Sequence, residues 1–238
     1  MTSKIRLGFI GANVRSKWAS ASHFPALRAH PDVELTAVCT TNPASAEEAR
    51  KAFGAKLAFS DYREMVASPE IDAVAVVVRV PSHYGPTKAA IEAGKHVYTE
   101  WPLGRTTAEA EELTTLARAK GVQTAIGLQS RVSPALLYMK ELIETGFIGQ
   151  VLTCHAECFR DGPLSRPSSR TWHRDASLGA NTFTIPTGHV IDTLRFVLGD
   201  YTHFSAMVTT QVKQWRESDT NKLVDVTSPD NIMMSCKL

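Results

Sequence analysis

The run Ala73-Val-Ala-Val-Val-Val78 is six apolar residues without a polar interruption. A strand with one wet face alternates apolar and polar side chains, so an unbroken run calls for helices over both faces, as in the middle of a parallel sheet. Its surroundings agree. Strand patterns recur at 5–10, 34–39, 57–59, 96–99 and 123–128, and segments with helical spacing fill the intervals at 16–29, 44–53, 61–67, 82–93, 107–119 and 134–145. Helix starts are signalled by Asn42-Pro43, by Ser82, and by Thr106 with Glu109 three residues on; Gly94 and Gly121 fall just past helix ends. Residues 1–128 therefore read as a doubly wound α/β domain, whose ligand crevice lies at the carboxyl ends of the strands. After Gly149 the texture changes. Strand patterns at 150–159, 203–213 and 231–238, a Ser/Pro/Arg-rich loop at 160–169 and a helix at 187–198 suggest an α+β domain over 129–238 with a largely antiparallel, open sheet.

Charge and cysteine usage exclude several classes. Twenty-six Lys and Arg against 24 Asp and Glu give a formal charge of +2, too weak a field to argue for nucleic acid or an anionic membrane. No run approaches the roughly 18 apolar residues of a spanning helix, and the first residues lead into a strand pattern in place of a secretion signal, so a cytoplasmic protein is expected. Cys39, Cys154, Cys158 and Cys236 are scattered without a CxxC pair. On a strand Cys154 and Cys158 would stand roughly 13 Å apart, too far to share a metal ion. Neither disulfides nor a metal site is expected.

The sharpest local signal is Gly8-Phe-Ile-Gly11-Ala12-Asn13-Val14-Arg15-Ser16, which leaves the first strand and enters the first helix. In a dinucleotide fold such a loop turns tightly beneath a pyrophosphate, which takes the free N–H groups of the helix start. Against the GxGxxG pattern the series reads Gly11, Asn13, Ser16; Asn tolerates positive φ and Ser is small. The second strand ends in Cys39-Thr40-Thr41-Asn42, with no acid to bind a ribose 2′-OH or repel a 2′-phosphate. NAD or NADP is expected, with a slight preference for NADP.

The segment Ala93-Gly-Lys-His-Val-Tyr-Thr-Glu100-Trp101-Pro102 resembles the AGKHV…EKP motif of the glucose–fructose oxidoreductase, inositol dehydrogenase and MocA family of NAD(P)-dependent oxidoreductases. Collinear with it are His23-Phe-Pro25-Ala-Leu27 (H-x-P-A-L), His83, Arg131 with Pro134, Ile143 to Gly149, Trp172 with Arg174, and Gly188-His189-Val-Ile-Asp192. Gly11-Ala-Asn13, Trp18-Ala19, Ser82-His83-Tyr84, Glu100-Trp101 and Thr182-Phe-Thr184 are most similar to a subgroup that includes a cofactor-binding galactose-pathway repressor. The resemblance implies a cofactor site of Gly11, Ala12, Asn13, Val14, Arg15, Thr40, Arg79, His83, Glu100, Trp101 and Gln129, and a sugar-like substrate held by Arg131, Trp172, His189 and Asp192. His189 is then the catalytic acid/base, and Asp192, one turn on, is expected to orient it.

Two departures bear on activity. The family's catalytic lysine is replaced by Trp101, whose indole N–H is a donor only, and the aspartate four residues before its catalytic histidine is replaced by Ile185. The resemblance thus leaves two functions open: hydride transfer to a sugar or polyol, and a catalytically impaired, cofactor-sensing regulator that binds a protein partner. It also implies a homo-oligomer. The stretch after Leu128 is short for the second domain implied, so that domain is expected to be truncated, with the last strand as an exposed edge or covered by another chain.

Overall fold

The computed structural model describes residues 4–15, 18–159 and 165–237. Its chain divides into two compact units, Met1–Gly127 and Leu128–Leu238. In the first, strands β1 (Ile5–Ile10), β2 (Val33–Cys39), β3 (Leu57–Phe59), β4 (Ala73–Val76), β5 (His96–Thr99) and β6 (Thr124–Ile126) alternate with helices α1 (Phe24–Ala29), α2 (Pro43–Phe53), α3 (Tyr62–Ala67), α4 (Tyr84–Glu92) and α5 (Thr107–Lys120). All strand pairs are parallel, in the order β3-β2-β1-β4-β5-β6. That is the doubly wound order of a dinucleotide-binding sheet, whose direction reverses between β1 and β4.

The apolar run in β4 has the cause inferred for it. Val74 and Val76 join one core with Ile10, Met65, Ile91, Val97 and Leu113, whereas Ala75 and Val77 join a second with Leu7, Phe9, Ala19, Phe24 and Val38. Successive side chains thus enter different cores, each packed by helices. The strand stops two residues earlier than expected because its partners run out: Val76 pairs Ile10 and Thr99, the last residues of β1 and β5.

The first helix also differs from expectation. A π-helical turn, Ala19–His23, precedes α1, and Phe24 N–H reaches back to the Ala19 carbonyl. Pro25, which has no N–H to give a regular helix, stands at the junction. Ser16, where the helix was expected to begin, lies outside the described residues.

The second unit contains α6 (Pro134–Glu144), β7 (Ser165–Arg166), α7 (Gly188–Leu198), β8 (His203–Thr209), β9 (Gln214–Glu217), β10 (Leu223–Asp225) and β11 (Asn231–Lys237). β8 and β11 form one antiparallel pair; β9 pairs antiparallel with β10 and parallel with β7. The strand expected at 150–159 is not formed: the described residues there pair with no ladder, and Leu152 and Phe159 are 86% and 89% exposed. β-Propensity without a partner strand leaves backbone groups unpaired, so the pattern alone does not make a strand. The strand expected at 203–213 ends at Thr209, and beyond it the Gln211 and Val212 amides turn to the Asp230 carboxylate, both at 2.8 Å. Of the loop at 160–169, residues 160–164 lie outside the described residues, as does Leu238 at the end of the last expected strand.

Candidate functional site

Three strand ends meet at Gly11. Its φ is +95°, a conformation that side chains resist. A Cβ there would lie 2.0 Å from the Val77 carbonyl oxygen, so β1's exit runs directly against the end of β4. Gly11 and Ala12 both donate to the Cys39 carbonyl at the end of β2, at 2.9 and 3.3 Å. The loop is therefore bound at its start to both neighbouring strands. Asn13 corrects the expectation of positive φ: among the described residues only Asn221 is a non-glycine with that geometry. Instead the Asn13 side chain accepts the Arg15 amide at 2.8 Å, a local turn that closes the loop. The Val14 carbonyl accepts the Ser20 hydroxyl.

At the end of β2, Thr40 is nearly buried and its hydroxyl is engaged by Ser45 Oγ at 2.6 Å and the Asn42 carbonyl at 3.2 Å. Thr40 thus belongs to the start of α2, where Asn42 caps the Ser45 amide. Burial pushes the neighbouring Cys39 thiol up to about 12, which leaves it unreactive.

Arg79 and Trp101 follow β4 and β5, Arg79 exposed and Trp101 half-buried. Between them lies His83, only 1% exposed, with Nδ1 2.7 Å from the Pro102 carbonyl and Nε2 3.1 Å from that of Val78. Both ring nitrogens face backbone, so His83 joins the segments that carry Arg79 and Trp101.

Glu100 follows the last residue of β5. Its Oε1 accepts hydrogen bonds from Trp18 Nε1 at 3.1 Å and Tyr98 OH at 3.0 Å and lies 2.6 Å from His23 Nε2. Burial favours the protonated carboxyl, but the bonds to His23, Trp18 and Tyr98 prevail and hold its pKa below the usual range. The half-buried Tyr98 phenol is pushed up by desolvation and the adjacent carboxylate. A Cβ on Gly127 would come within 2.7 Å of Glu100 Oε2, so glycine after β6 leaves space for this group. Trp18, His23 and Tyr98 stand in motifs already singled out, but their convergence on Glu100, and the part of Gly127, are not legible in the sequence: the partners meet only through the fold, Trp18 being 82 positions from Glu100.

In the second unit Gln129 and Arg131 lie on a short 3₁₀ turn, Gln129–Val132, with Gln129 exposed. Arg131 grips both oxygens of buried Asp192, Nε lying 3.1 and 2.9 Å from Oδ1 and Oδ2. Asp192 is held by Arg131, and Arg131 fixes α7 to the turn before α6. His189 is the second residue of α7, which follows a π-helical turn, Phe183–Thr187; there Thr187 donates to the Thr182 carbonyl that Pro186 cannot reach. The Trp172 ring packs against His173 at a centroid distance of 3.9 Å. Among the described residues no three His, Cys, Asp or Glu side chains gather as a metal site, and the cysteines are unpaired.

Comparison with known proteins decides the family. Residues 5–128 match the oxidoreductase family with an NAD-binding Rossmann fold, named for glucose–fructose oxidoreductase, inositol dehydrogenase and MocA. The chain belongs to that family. Residues 134–238 match the Gal80p C-terminal domain. The dehydrogenase aclE of Aspergillus oryzae is 34% identical over 212 residues, 87% of this chain and 58% of that protein. The galactose/lactose metabolism regulatory protein GAL80 of Saccharomyces cerevisiae is 30% identical over 248 residues, covering 96% and 57%. A levoglucosan dehydrogenase solved in complex with NADH and levoglucosan superposes with a TM-score of 0.83 at 25% identity, covering 99% of this chain and 64% of that one. The chain thus spans between 57% and 64% of these proteins. Among the described residues no helix is long and apolar enough to cross a membrane.

Proposed function

We propose that residues 1–128 bind NAD(H) or NADP(H) across Gly11–Arg15 and the segments after β2, β4 and β5, with Arg79 and Trp101 toward the nicotinamide. The observation that carries this is the tight exit of β1: Gly11, at φ +95°, packs against the Val77 carbonyl where no side chain fits, and so turns the Gly11–Arg15 loop at the carboxyl end of the sheet, at the reversal between β1 and β4. When bound, the nicotinamide would supply hydride chemistry. The chain's own groups would do the rest: Arg131 and Trp172 orient a sugar-like or polyol substrate, and His189 takes or returns the hydroxyl proton, with Arg131 and Asp192 bracing its helix. The absence of a carboxylate after β2 favours NADP slightly. The apolar β8–β11 pair, with Phe204 73% and Met233 67% exposed, favours self-association of residues 129–238, and we place the protein in the cytoplasm.

A second reading rests on Trp101. With indole in place of the family's lysine, cofactor binding without turnover, read out by a protein partner, fits the likeness to GAL80. Titrating the chain with NADH and NADPH by nicotinamide fluorescence tests the shared premise. Binding is expected below millimolar concentration and is lost in Gly11→Val; no binding of either nucleotide overturns both readings. A screen of sugars and polyols at saturating cofactor then divides them. Turnover lowered about a hundredfold by His189→Ala supports catalysis, and its absence from a cofactor-binding chain supports the regulator.

A further inference from the structure

The Glu100 cluster has a geometry that a direct cofactor contact does not explain. Oε1 faces three donors, and the side chain is 13% exposed. For this oxygen to serve a nicotinamide it would have to leave Trp18, His23 and Tyr98. Trp18 immediately precedes the π-helical turn Ala19–His23, of which His23 is the last residue, whereas Tyr98 stands two residues before Glu100 on β5. Rings close the cluster: His23 meets Trp18, Tyr98 and Phe9 edge-on at centroid distances of 6.0, 5.7 and 5.6 Å. Glycine at 127 leaves room for the Glu100 carboxylate and the Tyr98 hydroxyl, which a Cβ would approach at 2.7 and 2.9 Å. Residues from β5, from the chain after β6 and from the turn before α1 thus converge on one carboxylate.

We infer that Glu100 is a positioning residue for the dinucleotide loop: through Trp18 and His23 it ties the π-helical turn that comes after that loop in sequence to the end of β5, and so acts on the pyrophosphate-bearing part of the cofactor. This rests on the nucleotide-binding reading above. The loop's incoming arm is already fixed, since Gly11 and Ala12 donate to Cys39 and Gly11 abuts Val77. The Glu100 tie supplies a second fixed point at Trp18, and a loop with a fixed point on either side loses less freedom when its backbone amides meet a phosphate.

ADP-ribose tests the inference, because it carries the pyrophosphate and adenosine and lacks the nicotinamide. The full chain, Glu100→Gln and Trp18→Phe are each titrated with ADP-ribose and with NADH, and thermal midpoints are recorded. Trp18→Phe keeps an aromatic edge and removes the indole donor at a half-exposed position, so it serves where Glu100→Gln is destabilised. Affinity for ADP-ribose is expected to fall roughly tenfold in Glu100→Gln and severalfold in Trp18→Phe, and NADH affinity by the same factor in each, with the thermal midpoint of Trp18→Phe unchanged. Loss of NADH affinity with ADP-ribose unaffected would show a direct nicotinamide contact and overturn the inference. Unchanged affinity for both ligands in Trp18→Phe overturns it as well, leaving the cluster a packing feature. A parent chain that binds neither ligand overturns the nucleotide reading instead, and this inference falls with it.

Discussion

The two units treat similar apolar patterns differently. In the first, Phe9, Met65, Ile71, Ile91 and Leu113 are all but completely buried, and Ile5 and Trp18 are the large apolar side chains left exposed among the described residues. In the second, Val197, Trp215 and Val226 are buried, while Phe147, Leu152, Phe159, Phe204 and Met233 are each more than two-thirds exposed. A parallel sheet acquires its covering helices from its own crossovers, so burial there is completed within one stretch of chain. A two-stranded antiparallel pair has no such built-in cover. An apolar pattern records what a segment is suited to bury; the topology decides whether it does.

The largest effect follows directly from this contrast. Phe9→Ala opens a void beneath Phe24 and His23, which pack on its ring at centroid distances of 4.7 and 5.6 Å, and should cost about 3–5 kcal/mol. Phe204→Ala, of the same chemistry on β8, should change stability by no more than about 0.5 kcal/mol. Hydrogen exchange followed separately in β1 and β8 measures both. Equal destabilisation of the two units would break the comparison.

The same contrast explains what could be read in advance. All six parallel strands stand within two residues of their expected limits, because Gly, Pro and Asn breaks bound them and both-face burial removes polar residues. β4 loses its last two residues to the lengths of its partners. Residues 150–159 carry the composition of a strand, but composition holds no information about a partner. At the site, Gly11 was legible as a glycine the backbone requires, whereas Asn13 is a turn closer because its oxygen reaches the Arg15 amide. His83 and Glu100 were recognisable as site-proximal yet not as inward-facing, since Pro102, Trp18 and His23 join them only in space. The Arg131 and Asp192 pairing spans 61 positions and was hidden for the same reason.

That pairing gives the intermediate effect and sharpens the comparison. The second unit, with few large side chains buried, places a carboxylate only 7% exposed against an arginine. Arg131→Ala leaves Asp192 desolvated without its donor. Because the Arg131 side chain is 44% exposed, water replaces part of the loss, and about 1–3 kcal/mol is expected, with partial recovery in Arg131→Lys. Faster hydrogen exchange through α7 would report it. Unchanged exchange would mean that this unit's order does not depend on the ion pair.

The smallest effect compares two helix starts with nearly the same sequence. Asn42-Pro43 opens α2 and Ser133-Pro134 opens α6, both with proline in the first turn, where its missing N–H is harmless. Asn42 Oδ1 accepts the Ser45 amide at 2.9 Å, whereas the Ser133 side chain makes no capping bond. Asn42→Ala should therefore cost about 1 kcal/mol, and Ser133→Ala a few tenths at most. Urea unfolding monitored in each unit distinguishes these values. Equal costs would show that a cap's worth here is set by residue type and not by the bond formed, which would weaken the use of local geometry to separate the two units.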